Sequence, residues 1–234
     1  MNRGSNRTGA REGRNHDRSL EAPRPRPRPP AALQIGGADA DIADWANEET
    51  PLFGSRDTAD DASDWLRFGS YGLYAAAGLA APAPADAWLA TKAQGFAVGG
   101  GALLATRGAT EGLKAAIGRD RPLDQDDDSL PSGHASMTAA AARLARDTLT
   151  YYDLPRPARL GGDVALAGLV LTTSWARVEA GEHHPTDVLA GIALGNFLAV
   201  FATEAFLAPA SDGRLALGVD TQGDGMMLQL SLGF

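Results

Sequence analysis

Cysteine is absent from this chain, which removes disulfides and thiolate chemistry together and leaves the compartment open. The N-terminal region also has no apolar core of the length a signal peptide needs. Nor does any stretch reach the ~20 largely apolar residues of a clear membrane span. Val188 to Phe201 comes nearest, but Asn196 interrupts it and Thr203 and Glu204 follow closely. Val164 to Trp175 is shorter, and the Gly/Ala-rich stretch from Ala93 to Leu113 carries Arg107 and Glu111. Core helices of a compact bundle fit these segments at least as well as weak spans, so a soluble or peripheral protein is favoured.

Positive charge is scarce over most of the chain. Residues 38–234 hold 13 Lys and Arg against 26 Asp and Glu, whereas residues 1–37 hold eight Arg and three acids. An acidic body repels nucleic acid and anionic surfaces unless its cations are gathered locally. Here Lys114, Arg119, Arg121 and Arg177 are gathered in short motifs, which points to a focused anion site and away from nucleic acid. Residues 22–30 run Ala-Pro-Arg-Pro-Arg-Pro-Arg-Pro-Pro, a composition that makes neither helix nor core. Residues 1–37 are therefore expected to be a disordered Arg/Pro-rich tail.

From Asp39 onward the pattern is helical. Ile42, Trp45 and Ala46 share a face, and Thr50-Pro51 closes the segment. Further helices are expected from about Thr58 to Leu79, stopped by Ala81-Pro82-Ala83-Pro84, and from near Ala85 through Lys114. In the latter, Gly99-Gly100-Gly101 offers close contact with a neighbour. The remaining helices are placed from His134 to about Leu149 with Ser132 as N-cap, from about Arg159 to Val178, and from Pro185 to Leu207. Residues 215–219 and 226–234 alternate apolar positions around a Gly-rich turn and read as a β-hairpin. The expected architecture is an all-α bundle of about six helices over residues 38–208, followed by a hairpin in 209–234.

Three segments carry chemistry. Lys114 and Arg121 stand seven residues apart, two helical turns, on one side if the helix persists that far, although Pro122 argues that it ends there. Lys offers a point charge and Arg a planar fork for two oxygens of one phosphoryl group. Pro131-Ser132-Gly133-His134 reads as a loop entering a helix, where free backbone N–H groups favour an anion, Gly133 permits close approach and Ser132 adds a hydroxyl. In the third, His183 precedes Asp187 by four residues, so Asp187 can accept from one ring nitrogen and leave the other as a nucleophile. The neighbouring His184 stands three before Asp187 and is also within reach; register with Arg177 and Gly181 favours His183. A metal set of Glu182, His183, His184 and Asp187 is the lesser reading, because no second ligand cluster stands out.

Read together, these segments resemble the signature of the phosphatidic acid phosphatase type 2 / vanadium haloperoxidase superfamily. In that signature Lys, six residues, then Arg-Pro is followed by Pro-Ser-Gly-His, then by Ser-Arg, five residues, His, three residues, Asp. The match falls at Lys114, Arg121-Pro122, Pro131 through His134, Arg177, His183 and Asp187, and departs at Ala176, where the family usually has Ser. The resemblance implies a metal-independent, two-step phosphatase without cofactor. His183 would be the nucleophile oriented by Asp187, and His134 the acid and base. Lys114, Arg121, Arg177, Ser132 and Gly133 would hold the phosphoryl group. A lipid phosphate or diphosphate is the expected substrate, with soluble phosphate esters as the alternative and vanadate-dependent haloperoxidation third, since this chain lacks room for the extra helices of haloperoxidases. The expected place is the cell envelope, periplasmic or membrane-associated; oligomeric state is left open.

Overall fold

The computed structural model describes residues 37–123, 128–207, 216–220 and 227–231. Within these residues the chain forms six helices: α1 (Ala38–Glu49), α2 (Arg56–Ala80), α3 (Trp88–Ile117), α4 (Gly133–Leu149), α5 (Arg156–Glu179) and α6 (Pro185–Phe206). The tail expected over residues 1–37 lies, except for Gly37, outside the described residues. At the other end the backbones of β1 (Ala216–Asp220) and β2 (Met227–Ser231) pair antiparallel with Val219 opposite Leu228. The turn between them and the expected docking of the hairpin on the helices lie outside the described residues.

Local chemistry accounts for the helix ends. Asp39 and Asp41 sit in the first turn of α1, where carboxylates oppose the positive helix end, and Thr50 closes it at φ 40°. Ser55 caps α2, its hydroxyl accepting from the Thr58 N–H at 3.1 Å. Ser132 caps α4 similarly, and Pro185 occupies the first position of α6, where a missing N–H costs nothing. α3 ends earlier than the distance to Pro122 allows. Gly118 takes the left-handed conformation at φ 59° and donates to the Lys114 carbonyl, so the chain has left the helix before Arg121.

The bundle is organised around α4, which packs against α2, α3, α5 and α6. Its alanines make this possible: Ala135, Ala139, Ala140, Ala141, Ala142 and Ala145 are all buried. Small side chains on α4 meet glycine on α6. A Cβ added at Gly195 would fall 1.9 Å from the Ser136 carbonyl oxygen, so the two backbones touch there. The expected close contact at Gly99-Gly100-Gly101 is confined to Gly99, which lies under the Tyr74 ring; a Cβ at Gly100 or Gly101 meets open space.

The outside of the bundle is strongly apolar. Trp65 and Phe68 on α2, Leu89 and Leu104 on α3, Leu171 on α5 and Phe197 on α6 are each more than half exposed. Among the described residues α6 alone is long and apolar enough to cross a membrane, and 33% of its apolar window is buried.

Candidate active site

A cavity of about 160 Å³ opens where the start of α4 meets the ends of α3 and α5. Six of the eight residues expected to form the site line it: Lys114, Arg121, Gly133, His134, Arg177 and His183. Ser132 and Asp187 do not. The remaining walls come from Arg67, Arg107, Thr110, Glu111 and Met137.

Lys114 projects from the last turn of α3, and Arg121 reaches back from the loop beyond it. Asp128 draws them together. Arg121 donates to it through Nε at 2.6 Å and Nη2 at 3.0 Å, and Lys114 Nζ lies 3.4 Å away. The hydrogen bond from Arg121 holds the Asp128 carboxyl below its ordinary pKa, despite partial burial. Arg177, in the last turn of α5, is buried; it donates to Asp60 and, at 3.1 Å, to Ser63 Oγ. Glu182 joins the clusters, accepting from Arg121 and lying 3.1 Å from Arg177 Nη2. Each signature cation thus faces a carboxylate, which holds its long side chain in one orientation at the cavity.

His183 follows α5 through a turn at Gly181, whose φ of 75° suits glycine, and its N–H lies 3.3 Å from the Arg177 carbonyl oxygen. This links His183 to Arg177 by backbone. The imidazole is 2% exposed, and burial, helped by the Arg177 charge, drives its pKa well below the ordinary value against the opposing pull of Asp187. Both effects favour the neutral ring.

The expected hydrogen bond between His183 and Asp187 is not made. His183 Nδ1 is buried without a hydrogen-bond partner and lies 4.0 Å from Asp187 Oδ2, beyond bonding range. Asp187 is engaged elsewhere. It accepts from the His184 N–H at 2.8 Å, Ser129 Oγ at 2.6 Å and Arg119 Nη1 at 2.5 Å, and lies 3.2 Å from His184 Nδ1. Burial pushes the Asp187 carboxyl up, but the bonds from His184 and Ser129 and the Arg119 charge bring it below its ordinary value. Arg119, grouped by sequence with the anion-binding cations, is turned away from the cavity: its Nη2 also reaches Asp39 Oδ2 at 2.6 Å. It is a buried strut between α1 and α6, held further by Thr186.

His134 stands in the first turn of α4, its Nε2 2.8 Å from Asp64 Oδ1. Burial first, and the Arg177 charge next, push its pKa down to about 4 against the hydrogen bond that the ring donates to Asp64. Ser132 is fully buried below the cavity floor. Its N–H donates to the Asp187 carbonyl at 3.0 Å and its hydroxyl accepts from the Ala135 N–H at 3.5 Å, so the side chain is buried and outside the cavity lining. α6 supports that frame closely, for a Cβ at Gly191 would lie 2.6 Å from the Ser132 carbonyl oxygen. Ala176, the departure from the signature, is fully buried and outside the cavity lining.

Sequence reasoning missed the contribution of α2. Asp60, Asp64 and Arg67 recur at four and three residues, one helical stripe, and address Arg177, His134 and the cavity in turn. That stripe is a readable signal once α2 is known to face the motifs. Of the four residues in the lesser metal reading, Glu182 turns to Arg121 and Arg177, and Asp187 is engaged by Arg119, Ser129 and His184.

A family model described as the PAP2 superfamily matches residues 94–208. The chain is also similar to the decaprenylphosphoryl-5-phosphoribose phosphatase of Mycolicibacterium smegmatis, 38% identical over 128 residues that cover 51% of this chain and 60% of that relative. The match therefore spans less than two thirds of the relative's length. No solved structure matches.

Proposed function

We propose that the chain, whose residues 94–208 match the PAP2 superfamily model, is a phosphoric ester hydrolase working through a phosphohistidine, with a lipid-linked phosphate as substrate. The observation that carries this reading is the single small cavity on which two histidines from separate segments and three signature cations converge.

In the first step His183 attacks phosphorus through a neutral ring nitrogen. A P–N bond forms, the P–O bond to the leaving group breaks, and His134 gives its proton to the departing oxygen. In the second, His134, now neutral, takes a proton from water. The water oxygen attacks phosphorus, the P–N bond breaks, and orthophosphate leaves. Lys114, Arg121 and Arg177 oppose the charge on the equatorial oxygens, aided by backbone N–H groups at Gly133 and the start of α4. Asp187 acts on His183 from 4.0 Å through its charge, favouring the cationic ring that forms during attack. The cations take the place a metal would hold, so turnover is expected to survive EDTA.

A lipid substrate is favoured by the exposed apolar side chains on four helices and by the apolar length of α6. The activity of the relative, named for a decaprenyl-linked phosphosugar, points the same way. The test is phosphate release from phosphatidate, a polyprenyl diphosphate and p-nitrophenyl phosphate, with and without detergent. Release from the soluble ester alone would favour the soluble-substrate alternative, and release from none would overturn the reading.

A further inference from the structure

We infer that the cavity contains a second anion subsite, formed by Arg67 of α2 and Arg107 of α3, which receives a second phosphate group on the substrate. The inference rests on the phosphatase reading only in calling the bound molecule a substrate. Lys114, Arg121 and Arg177 face Asp128, Asp60 and Glu182 and suffice for one phosphoryl group. Two more arginines line the same cavity and exceed what one phosphate requires, and the Nε of Arg67, buried without a hydrogen-bond partner, is a cost that a bound anion would offset.

Neither arginine is accounted for by a structural role. Arg67 touches Asp64 at 2.8 Å through Nη2 and lies 5.0 Å over the Phe68 ring, but its Nε is buried with no hydrogen-bond partner. Its contact with the half-exposed Asp64, shared with His134, contributes little to stability. Arg107 makes no ion pair with any described residue, although Glu111, four residues on, lines the same cavity. Glu111 and Asp64 are the carboxylates facing the pair, and neither neutralises Arg107.

Placement gives the kind of ligand. Arg107 precedes Lys114 by seven residues, and Arg67 follows Asp60, the partner of Arg177, by seven. Two turns of helix are about 10 Å. Two helices, each pinned to the cationic centre by its own contact, thus set the second pair a similar distance along the bundle. That separation is too long for two directly joined phosphates and suits a phosphate set apart by a sugar-sized spacer. His134 and Met137, one turn apart on α4, line the cavity together with both clusters.

The test is calorimetric titration of the full chain carrying His183→Ala, which holds ligands unconverted, with fructose 6-phosphate and fructose 1,6-bisphosphate. The bisphosphate should bind about tenfold tighter or more, the order expected of one added charge-assisted hydrogen bond. Arg67→Gln or Arg107→Gln should reduce that preference to within about twofold, which is the statistical factor for either end binding. Because Arg107 is exposed, its variant remains informative if the Arg67 variant fails to fold. Equal binding of the two sugars, or a preference that survives both substitutions, overturns the subsite. A sugar phosphate joined to an alkyl chain through a phosphodiester separates the sources of the second phosphate: tighter binding than the bisphosphate marks a lipid-linked diester, weaker binding a free phosphate, and both support the subsite. Phosphate release by the unsubstituted chain is measured separately. Its absence with the preference intact overturns the hydrolase reading and supports the subsite, whereas release without the preference does the reverse.

Discussion

His134 Nε2 and Asp64 Oδ1 lie 2.8 Å apart, a bond between α4 and α2 that gives the proposed general acid a carboxylate partner. Burial and Arg177 both expel the proton from His134, and Asp64 opposes them. Asp64→Asn should therefore lower the His134 pKa further and slow phosphate release about tenfold at pH 7, part of the 10²–10⁴ a general acid commonly contributes. The deficit should shrink as pH falls and His134 is protonated in both proteins. An unchanged pH–rate profile would take Asp64 out of the proton path.

His183 lines the cavity and His184 does not. Acid-labile phosphoprotein trapped by quenching should disappear in His183→Ala and persist in His184→Ala. The His184 variant should still be slowed, because His184 and its N–H help hold Asp187. Trapped phosphate that survives in His183→Ala would move the nucleophile elsewhere.

Phosphate binding should take up a proton. In the free protein His134 titrates near 4, held down by burial and Arg177, and a bound dianion opposes both effects by adding negative charge beside the ring. The bound pKa then exceeds the free one, so affinity for phosphate or vanadate should rise as pH falls between the two values. Titrating the His134 ring protons by NMR with and without vanadate measures both. A bound pKa at or below the free one would remove His134 from contact with the anion.

Arg177→Lys should lower kcat far more than the retained charge suggests. Both terminal nitrogens of Arg177 already hold separate acceptors, Asp60 with Ser63 on one and Glu182 on the other, and an ammonium cannot reproduce that fork. The expected loss is about 2–4 kcal/mol in transition-state stabilisation. Near-normal kcat would leave Lys114 and Arg121 as the working clamp.

Gly195→Ala should destabilise the fold by about 3 kcal/mol, the upper part of the overpacking range, because its methyl would meet the Ser136 carbonyl oxygen at 1.9 Å. Gly100→Ala, whose methyl would enter open space, should instead stabilise by about 0.5–1 kcal/mol. Thermal unfolding of the two variants makes the comparison, and equal shifts would show that α4 and α6 are not in backbone contact.

What the chain determined by itself is what depends on neighbours in sequence. Proline, serine caps and apolar spacing set six helices whose ends fall within a few residues of expectation, since a helix end is decided by its own first and last turns. The three motifs were legible for the same reason: each lies within one short segment and carries its chemistry in its spacing. Tertiary packing decided which side chains meet. It turned Arg119 away to Asp39 and Asp187, buried Ser132 outside the cavity lining, and gave Asp187 to His184 and Ser129 in preference to His183. It also brought Asp60 to Arg177, Asp64 to His134 and Arg67 to the cavity, all from more than fifty residues upstream of the motifs' histidines. Such contacts depend on how closely whole helices approach, here through alanine on α4 and glycine on α6, and local periodicity does not encode that distance.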